Sequence, residues 1–219
     1  MPPQVSEDAE PSEGASLPPD HRSLRGQPVW IFGYGSLIWK PGFQFTRRRV
    51  GFIRGYSRRF WQGDSYHRGN QQEPGRVVTL LEDANADTWG VAYQVQKDQL
   101  RHSLEYLNLR EGVLGGYVRK TVTFYSRGST ARGRSTLALV YIATPRNPLY
   151  LGPAEAEDIA GQIVRSRGHS GHNLEYLLRL AHFMRSACPG VEDEHLFSIE
   201  AASLALEPSG ERRAAPGCA

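Results

Sequence analysis

Val29-Trp30-Ile31-Phe32 is a short β-branched and aromatic run that ends at Gly33-Tyr34-Gly35-Ser36-Leu37. Two fold classes place chemistry where a strand stops at glycine and serine, and neither fits. A dinucleotide-binding sheet needs a third glycine where Ile38 stands, and an acid about twenty residues on, where Gly55 and Tyr56 occur. A hydrolase nucleophile elbow needs glycines two before and two after the serine, where the chain has Tyr34 and Ile38. Ser36 is therefore a poor candidate nucleophile. The turn is either an ordinary strand-to-loop connection or a cradle whose backbone N–H groups, with Ser36 Oγ as a further donor, hold a carboxylate or carbonyl oxygen.

Upstream, residues 1–27 carry Pro2, Pro3, Pro11, Pro18 and Pro19 with Glu7, Asp8, Glu10, Glu13 and Asp20, and almost nothing large and apolar to bury. This composition predicts a disordered acidic extension. Downstream, strands are expected at Val29–Phe32, Val50–Ile53, Arg58–Trp61, Val77–Leu81, Trp89–Val95, Val118–Tyr125 and Ser135–Ile142. Leu100, Leu104 and Leu107 mark one face of an inserted helix from about Asp98 to Asn108, ending before Gly112. After Pro145-Arg146-Asn147-Pro148, a helical stretch is expected with Pro153 in its first position and Ile159 and Ile163 one turn apart. A second helix is expected from near Ser170, carrying Leu174, Leu177, Leu178, Ala181 and Met184, and a third over His195–Leu206. Strands first, one inserted helix and terminal helices make an α+β fold with the strands curled into a small barrel. The expected organisation is one domain over residues 28–206, followed by a fraying tail, 207–219.

The 219 residues suffice for one sizeable core. Lys plus Arg number 26 against 23 Asp plus Glu, too mild a balance to imply a nucleic-acid field. Arg47-Arg48-Arg49, Arg54, Arg58-Arg59, Arg68 and Arg76 do alternate with aromatics, but a half-buried sheet with an anion-binding face gives the same mixture, so no nucleic-acid partner is expected. Two unpaired cysteines, Cys188 and Cys218, fit reduced thiols in the cytosol. No run approaches the ~18 apolar residues of a membrane span, and no basic segment leads into an apolar one near the start.

Glu111, in Leu109-Arg110-Glu111-Gly112, is the candidate acid/base. Just past a helix C-terminus and among Leu107, Leu109, Val113 and Leu114, its ionised form is disfavoured by the helix dipole and by desolvation, which predicts a raised pKa. Glu105 is expected to face solvent. His67-Arg68-Gly69 and Arg76 are candidate cations for a substrate carboxylate. His169 and His172 lack a recognisable third ligand, and Ser170-Gly171-His172-Asn173 reads better as a helix start, so no metal site is expected. Tyr117 and Tyr150 are read as packing.

Together with Phe60-Trp61-Gln62-Gly63, Pro74-Gly75-Arg76-Val77-Val78-Thr79-Leu80, Gly115-Gly116-Tyr117, Tyr150-Leu151-Gly152-Pro153 and Ser170-Gly171-His172-Asn173-Leu174-Glu175-Tyr176-Leu177, these motifs resemble the ChaC family of glutathione-specific γ-glutamylcyclotransferases over residues 29–187. The acidic extension resembles that of the longer of two vertebrate paralogues in the family. The resemblance implies a γ-glutamylcyclotransferase-like mixed β-barrel with flanking helices. It also implies cleavage of reduced glutathione to 5-oxoproline and cysteinylglycine in the cytosol, with neither metal nor organic cofactor. It places the catalytic glutamate at Glu111 and the substrate loop at Tyr34, Gly35, Ser36 and Leu37, with Phe32 and Gly33 leading into it. The loop amides then hold either the α-carboxylate or the developing γ-oxyanion. Two alternatives remain: a cyclotransferase for other γ-glutamyl amides, including a γ-glutamyl modification of a protein, and a binding module that uses the arginine-rich face or the N-terminal extension.

Overall fold

The computed structural model describes residues 28–112, 117–128 and 135–206, with Glu111 and Gly112 described by their backbone alone. Five strands close into a barrel: β1 (Val29–Gly33), β2 (Arg47–Asp64), β3 (Gly75–Val95), β4 (Tyr117–Ser126) and β5 (Ser135–Ala143). The order around the barrel is β1-β3-β2-β4-β5. Every pairing is antiparallel except that of β1 with β5, which closes the barrel in parallel through Trp30↔Ala138 and Ile31↔Leu139. Closure is consistent with the sequence pattern, because a short, apolar β1 is buried at all five positions and has a partner on each edge.

Two pairs of expected strands are in fact two long strands. Val50–Ile53 and Arg58–Trp61 both belong to β2, which continues through Gly55 at φ +83°. Opposite it, β3 takes five steps, from Glu82 to Asp87, where β2 takes two, from Arg54 to Tyr56. The glycine supplies a left-handed bulge conformation, and the polar stretch of β3 bows outward while pairing resumes on either side.

Helix α1 (Lys97–Gly112) lies between β3 and β4 and is longer than its apolar stripe predicts, so Glu111 stands inside its last turn. Leu104 and Leu107 are buried, and Leu107 joins Ile31, Leu37, Val95 and Tyr141 in a small cluster that ties the helix to one end of the barrel. Removing such a side chain as Leu107→Ala costs ~2–5 kcal/mol. Glu105 is exposed, where it pairs with Arg101.

The chain closes with α2 (Ala156–Arg165), the two-residue strands β6 (Arg167–Gly168) and β7 (Gly171–His172), α3 (Asn173–Ala187) and α4 (Glu194–Leu206). Pro153 precedes α2 instead of opening it. The N–H groups of Leu151 and Gly152 donate to Trp61 O, and Gly152 at φ +72° turns the segment along the barrel before the helix can begin. The second helix likewise starts later than Ser170, because that residue turns the β6–β7 hairpin. His172 then caps α3, its Nδ1 accepting from Leu174 N–H at 3.2 Å. Ile159, Ile163, Leu177, Leu180, Met184, Leu196 and Ile199 are buried in one core with Phe32, Ile53, Phe60 and Phe124 of the barrel. Each such side chain contributes ~1.5–3 kcal/mol on burial.

Candidate active site

At the end of β1 the side chains of Phe32, Tyr34 and Leu37 are buried, as are Gly33 and Gly35, and Ser36 alone of the turn is half-buried. Phe32 packs on Phe124 with ring centroids 5.8 Å apart. Ser36–Ile38 form a 3₁₀ turn in which Ile38 N–H donates to Gly35 O at 2.9 Å. The N–H groups of Ser36 and Leu37 precede the first internal acceptor pairing and have no partner within the turn. Glycine is required by close approach: a Cβ on Gly33 would stand 2.5 Å from Leu37 Cβ, and one on Gly35 would stand 2.6 Å from Tyr176 Oη and 2.8 Å from Val78 Cγ2.

The turn is held from several elements. Tyr34 Oη donates to Tyr141 O at 2.8 Å, and Tyr93 Oη lies 2.9 Å from Leu37 O and 2.8 Å from Ile38 O. Burial raises the Tyr93 phenol pKa, which keeps its donor proton in place. Arg58 Nη1 donates to Tyr34 O at 3.0 Å from beneath. From α1, Arg110 donates through Nη2 to Ser36 Oγ and through Nη1 to Lys40 O, each at 2.7 Å. Ser36 Oγ accepts there, so its own hydrogen is available for donation.

Arg110 therefore brings the last turn of α1, and with it the backbone of Glu111, to the turn at Ser36–Lys40. The Glu111 side chain and its expected pKa shift lie outside the described residues. Of the apolar neighbours expected to desolvate it, Leu107 is buried but Leu109 is 69% exposed, pointing away on the helix surface.

Arg68 is buried one ring behind the turn, with its guanidinium 5.9 Å from the Tyr176 ring centroid. Its Nη1 donates to His172 O at 2.9 Å and Glu175 Oε2 at 3.0 Å. Arg76 meets a different set of acceptors: Gln162 Oε1 at 2.6 Å, Phe60 O at 3.1 Å and Gly152 O at 3.2 Å. None of these belongs to the turn, and Arg76 ties α2 to the barrel. His67 Nδ1 lies 3.0 Å from Ser170 Oγ. Burial lowers the His67 pKa; Asp64 opposes this, while the nearby charges of Arg110, Lys40 and Arg68 add to it. Lys40, Arg68 and Arg110 thus bring positive charge near this rim, offset in part by Asp64 and by Glu175, which pairs with Arg68.

In the sequence, Arg110 stands out only as the neighbour of Glu111, and Tyr176 has no assigned role. A basic residue in a helix's last turn was the available signal for Arg110, but its partner Ser36 is 74 residues away. Among the described residues, no group of three His, Cys, Asp or Glu could hold a metal ion. A cleft of about 640 Å³ lies elsewhere, between the bowed part of β2–β3 and the start of α4, and is lined by Arg58, Asp83, Asp87, Asp193 and His195 among others. No described helix is long and apolar enough to cross a membrane.

A closed mixed barrel with this glycine turn and flanking helices defines a γ-glutamylcyclotransferase fold. The crystal structure of a γ-glutamyl cyclotransferase specific to glutathione from yeast superimposes with a TM-score of 0.72 at 29% identity, covering 82% of this chain and 97% of the yeast chain. The ChaC-like protein family model matches residues 29–205, and the chain belongs to that family. Glutathione-specific γ-glutamylcyclotransferase 1 of Danio rerio is 60% identical over 177 residues, 81% of this chain and 89% of the relative. The Homo sapiens protein of that name is 62% identical over 173 residues, 79% and 77% of the two chains.

Proposed function

We propose that the protein degrades reduced glutathione in the cytosol, releasing 5-oxoproline and cysteinylglycine, and that Glu111 is its acid/base. The observation that carries the reading is the bond from Arg110, the residue before Glu111, to Ser36 of the glycine turn. It sets a helix end bearing a carboxylate beside backbone N–H donors. The glutathione specificity named for the fish and human relatives supports the choice of substrate.

The chemistry needs no nucleophile from the protein. The substrate's α-amine attacks its own γ-carbonyl, a new C–N bond closes a five-membered ring, and the amide bond to cysteine breaks. Glu111 takes the proton that the attacking amine loses and returns it to the departing amine nitrogen. Intramolecular attack in a well-held geometry is worth an effective molarity of ~10⁵–10⁸ M, so bending the glutamyl part is itself a large share of catalysis. Gly33 to Leu37, entered from Phe32, hold that part by backbone donors and Ser36 Oγ. Lys40, Arg68 and Arg110 supply a field that favours a substrate carrying carboxylates, whereas Arg76 acts through the scaffold.

The catalytic unit is residues 28–206, a reading supported by the family match over 29–205, with 1–27 and 207–219 lying outside the chemistry. The test is incubation with reduced glutathione and no added metal, quantifying both products for the full chain, the 28–206 fragment and Glu111→Gln. Equimolar products from the first two alone are expected. Products from Glu111→Gln at the wild-type rate would remove the acid/base assignment. No product from the full chain would redirect attention to other γ-glutamyl amides, and then to a binding role.

A further inference from the structure

We infer that Arg58 is a positioning residue that aims the substrate-binding turn by anchoring it to the start of α4; the inference rests on the turn's proposed role. Arg58 stands on β2, and its side chain is 2% exposed. Four of its five N–H groups are used in two directions. Nε and Nη2 donate to Asp193 Oδ2 at 3.0 and 2.6 Å, while Nη1 donates to Tyr34 O at 3.0 Å and Trp89 O at 3.1 Å.

The Tyr34 contact has a directional consequence. The peptide bonds are trans among the described residues, so the C=O of Tyr34 and the N–H of Gly35 lie in one plane and point opposite ways. Holding the carbonyl from the Arg58 side directs the Gly35 N–H away from Arg58. The bond also removes the freedom of this peptide to flip, a motion that Gly35 would otherwise permit.

Asp193 fixes the other end. Its Oδ1 accepts from Leu196 N–H at 3.1 Å in the first turn of α4, and its Oδ2 holds Arg58. Beside it, His195 Nε2 accepts from Phe60 N–H at 2.9 Å, so two side chains at the start of α4 grip β2. The guanidinium thus links the docking of the terminal helix to the aim of one backbone donor at the opposite end of its reach.

An ordinary buried ion pair predicts that damage to either partner is felt alike, whereas a positioning residue predicts a crossed pattern. Arg58→Lys keeps the charge, but a compact ammonium cannot span both groups of acceptors. It remains with Asp193, its charged partner, and releases Tyr34 O. Asp193→Asn does the reverse: it keeps an acceptor for Arg58 and a helix cap for Leu196 N–H, loses the charge and leaves the Tyr34 bond intact.

The experiment measures kcat, KM and Tm for the full chain carrying Arg58→Lys, Asp193→Asn or Gly35→Ala, with kinetics taken at one fixed interval below each variant's Tm. Arg58→Lys should retain most of the wild-type Tm but lose kcat/KM by on the order of 10²-fold, the scale for a misaimed backbone donor. Asp193→Asn should lower Tm more and keep kcat/KM within about threefold, short of the tenfold that ~1.4 kcal/mol represents. Losses of kcat/KM that track Tm in both variants, or a wild-type kcat/KM in Arg58→Lys, would overturn the inference. Full activity in Gly35→Ala would instead remove the underlying reading of the turn, whatever Arg58 does.

Discussion

The Tyr34–Leu37 turn and the cleft beside α4 both present polar groups at the barrel surface, but they differ in how many of those groups are already engaged. In the cleft, Arg58 is bonded to Asp193, Ser57 Oγ to Asp83, and His195 Nε2 to Phe60 N–H. In the turn, the anchoring bonds among the described residues from Arg58, Tyr93 and Arg110 fall on carbonyls or on a side chain, and the N–H groups that begin the 3₁₀ turn have no partner within it. The cleft has volume, and the turn has donors that its own hydrogen bonds do not use. A reaction that develops negative charge on oxygen needs the second property, because preorganised donors lower its barrier while empty volume does not.

The sharpest way to break this comparison is Glu111→Gln, which keeps the shape of the side chain and removes its proton chemistry. Loss of a general acid/base is worth ~10²–10⁴-fold, and product formation should fall by that factor while glutathione still competes for the turn. A variant that turns over normally would mean that the turn and α1 are not the reacting pair. The cleft would then be the next place to look.

Gly35→Ala tests the same contrast at the donor side. The added methyl would stand 2.6 Å from Tyr176 Oη and 2.8 Å from Val78 Cγ2, so the turn must shift. Misplacement by ~1 Å costs on the order of 10²-fold in rate. The expected result is a loss of about that size in kcat/KM for 5-oxoproline release.

These two residues stand out in the sequence as candidates because their signals are local: glycines at the end of an apolar run, and an acid at the end of a leucine-striped helix. The barrel was legible for the same reason, strand by strand. Gly55 and the polar stretch from Glu82 to Asp87 were not, since a glycine and a run of acids look like turns until a partner strand is present to carry pairing past them. Arg58 was hidden more deeply. In a strand of alternating basic and aromatic residues it reads as an outward cation, yet it is buried because Asp193 neutralises it from 135 residues away. Arg110 and Ser36 are separated by 74 residues, and no periodicity encodes that meeting.

Acid should weaken the cleft side of the molecule. Burial lowers the His195 pKa from 6.5 to about 4, with Arg59 the next contributor. Between those values the unfolded chain binds a proton that the folded chain does not, so stability is complete above pH ~6.5 and falls as pH drops toward 4. Partial exposure reduces the effect to ~2 kcal/mol at pH 4.5. Urea midpoints at pH 7.5 and 4.5 should separate accordingly, and His195→Gln, which keeps an acceptor for Phe60 N–H, should narrow the gap. An unchanged gap would mean that His195 is not the group responsible.

The smallest expected effect has the opposite sign and uses a second glycine as the counterpart of Gly35. Gly161 lies within α2, where an added Cβ would meet only Arg165 Nη1, at 3.4 Å. That atom is the far end of a flexible side chain and can yield. Alanine there removes unfolded-chain freedom without strain, a gain of ~0.4–1 kcal/mol. Gly161→Ala should therefore raise Tm slightly and leave turnover of glutathione unchanged, although it adds the same methyl that is expected to cost activity at Gly35. A fall in activity at Gly161 would show that α2 is coupled to the turn, through Gln162 and Arg76 or another route, and the separation drawn between the two regions would have to be abandoned.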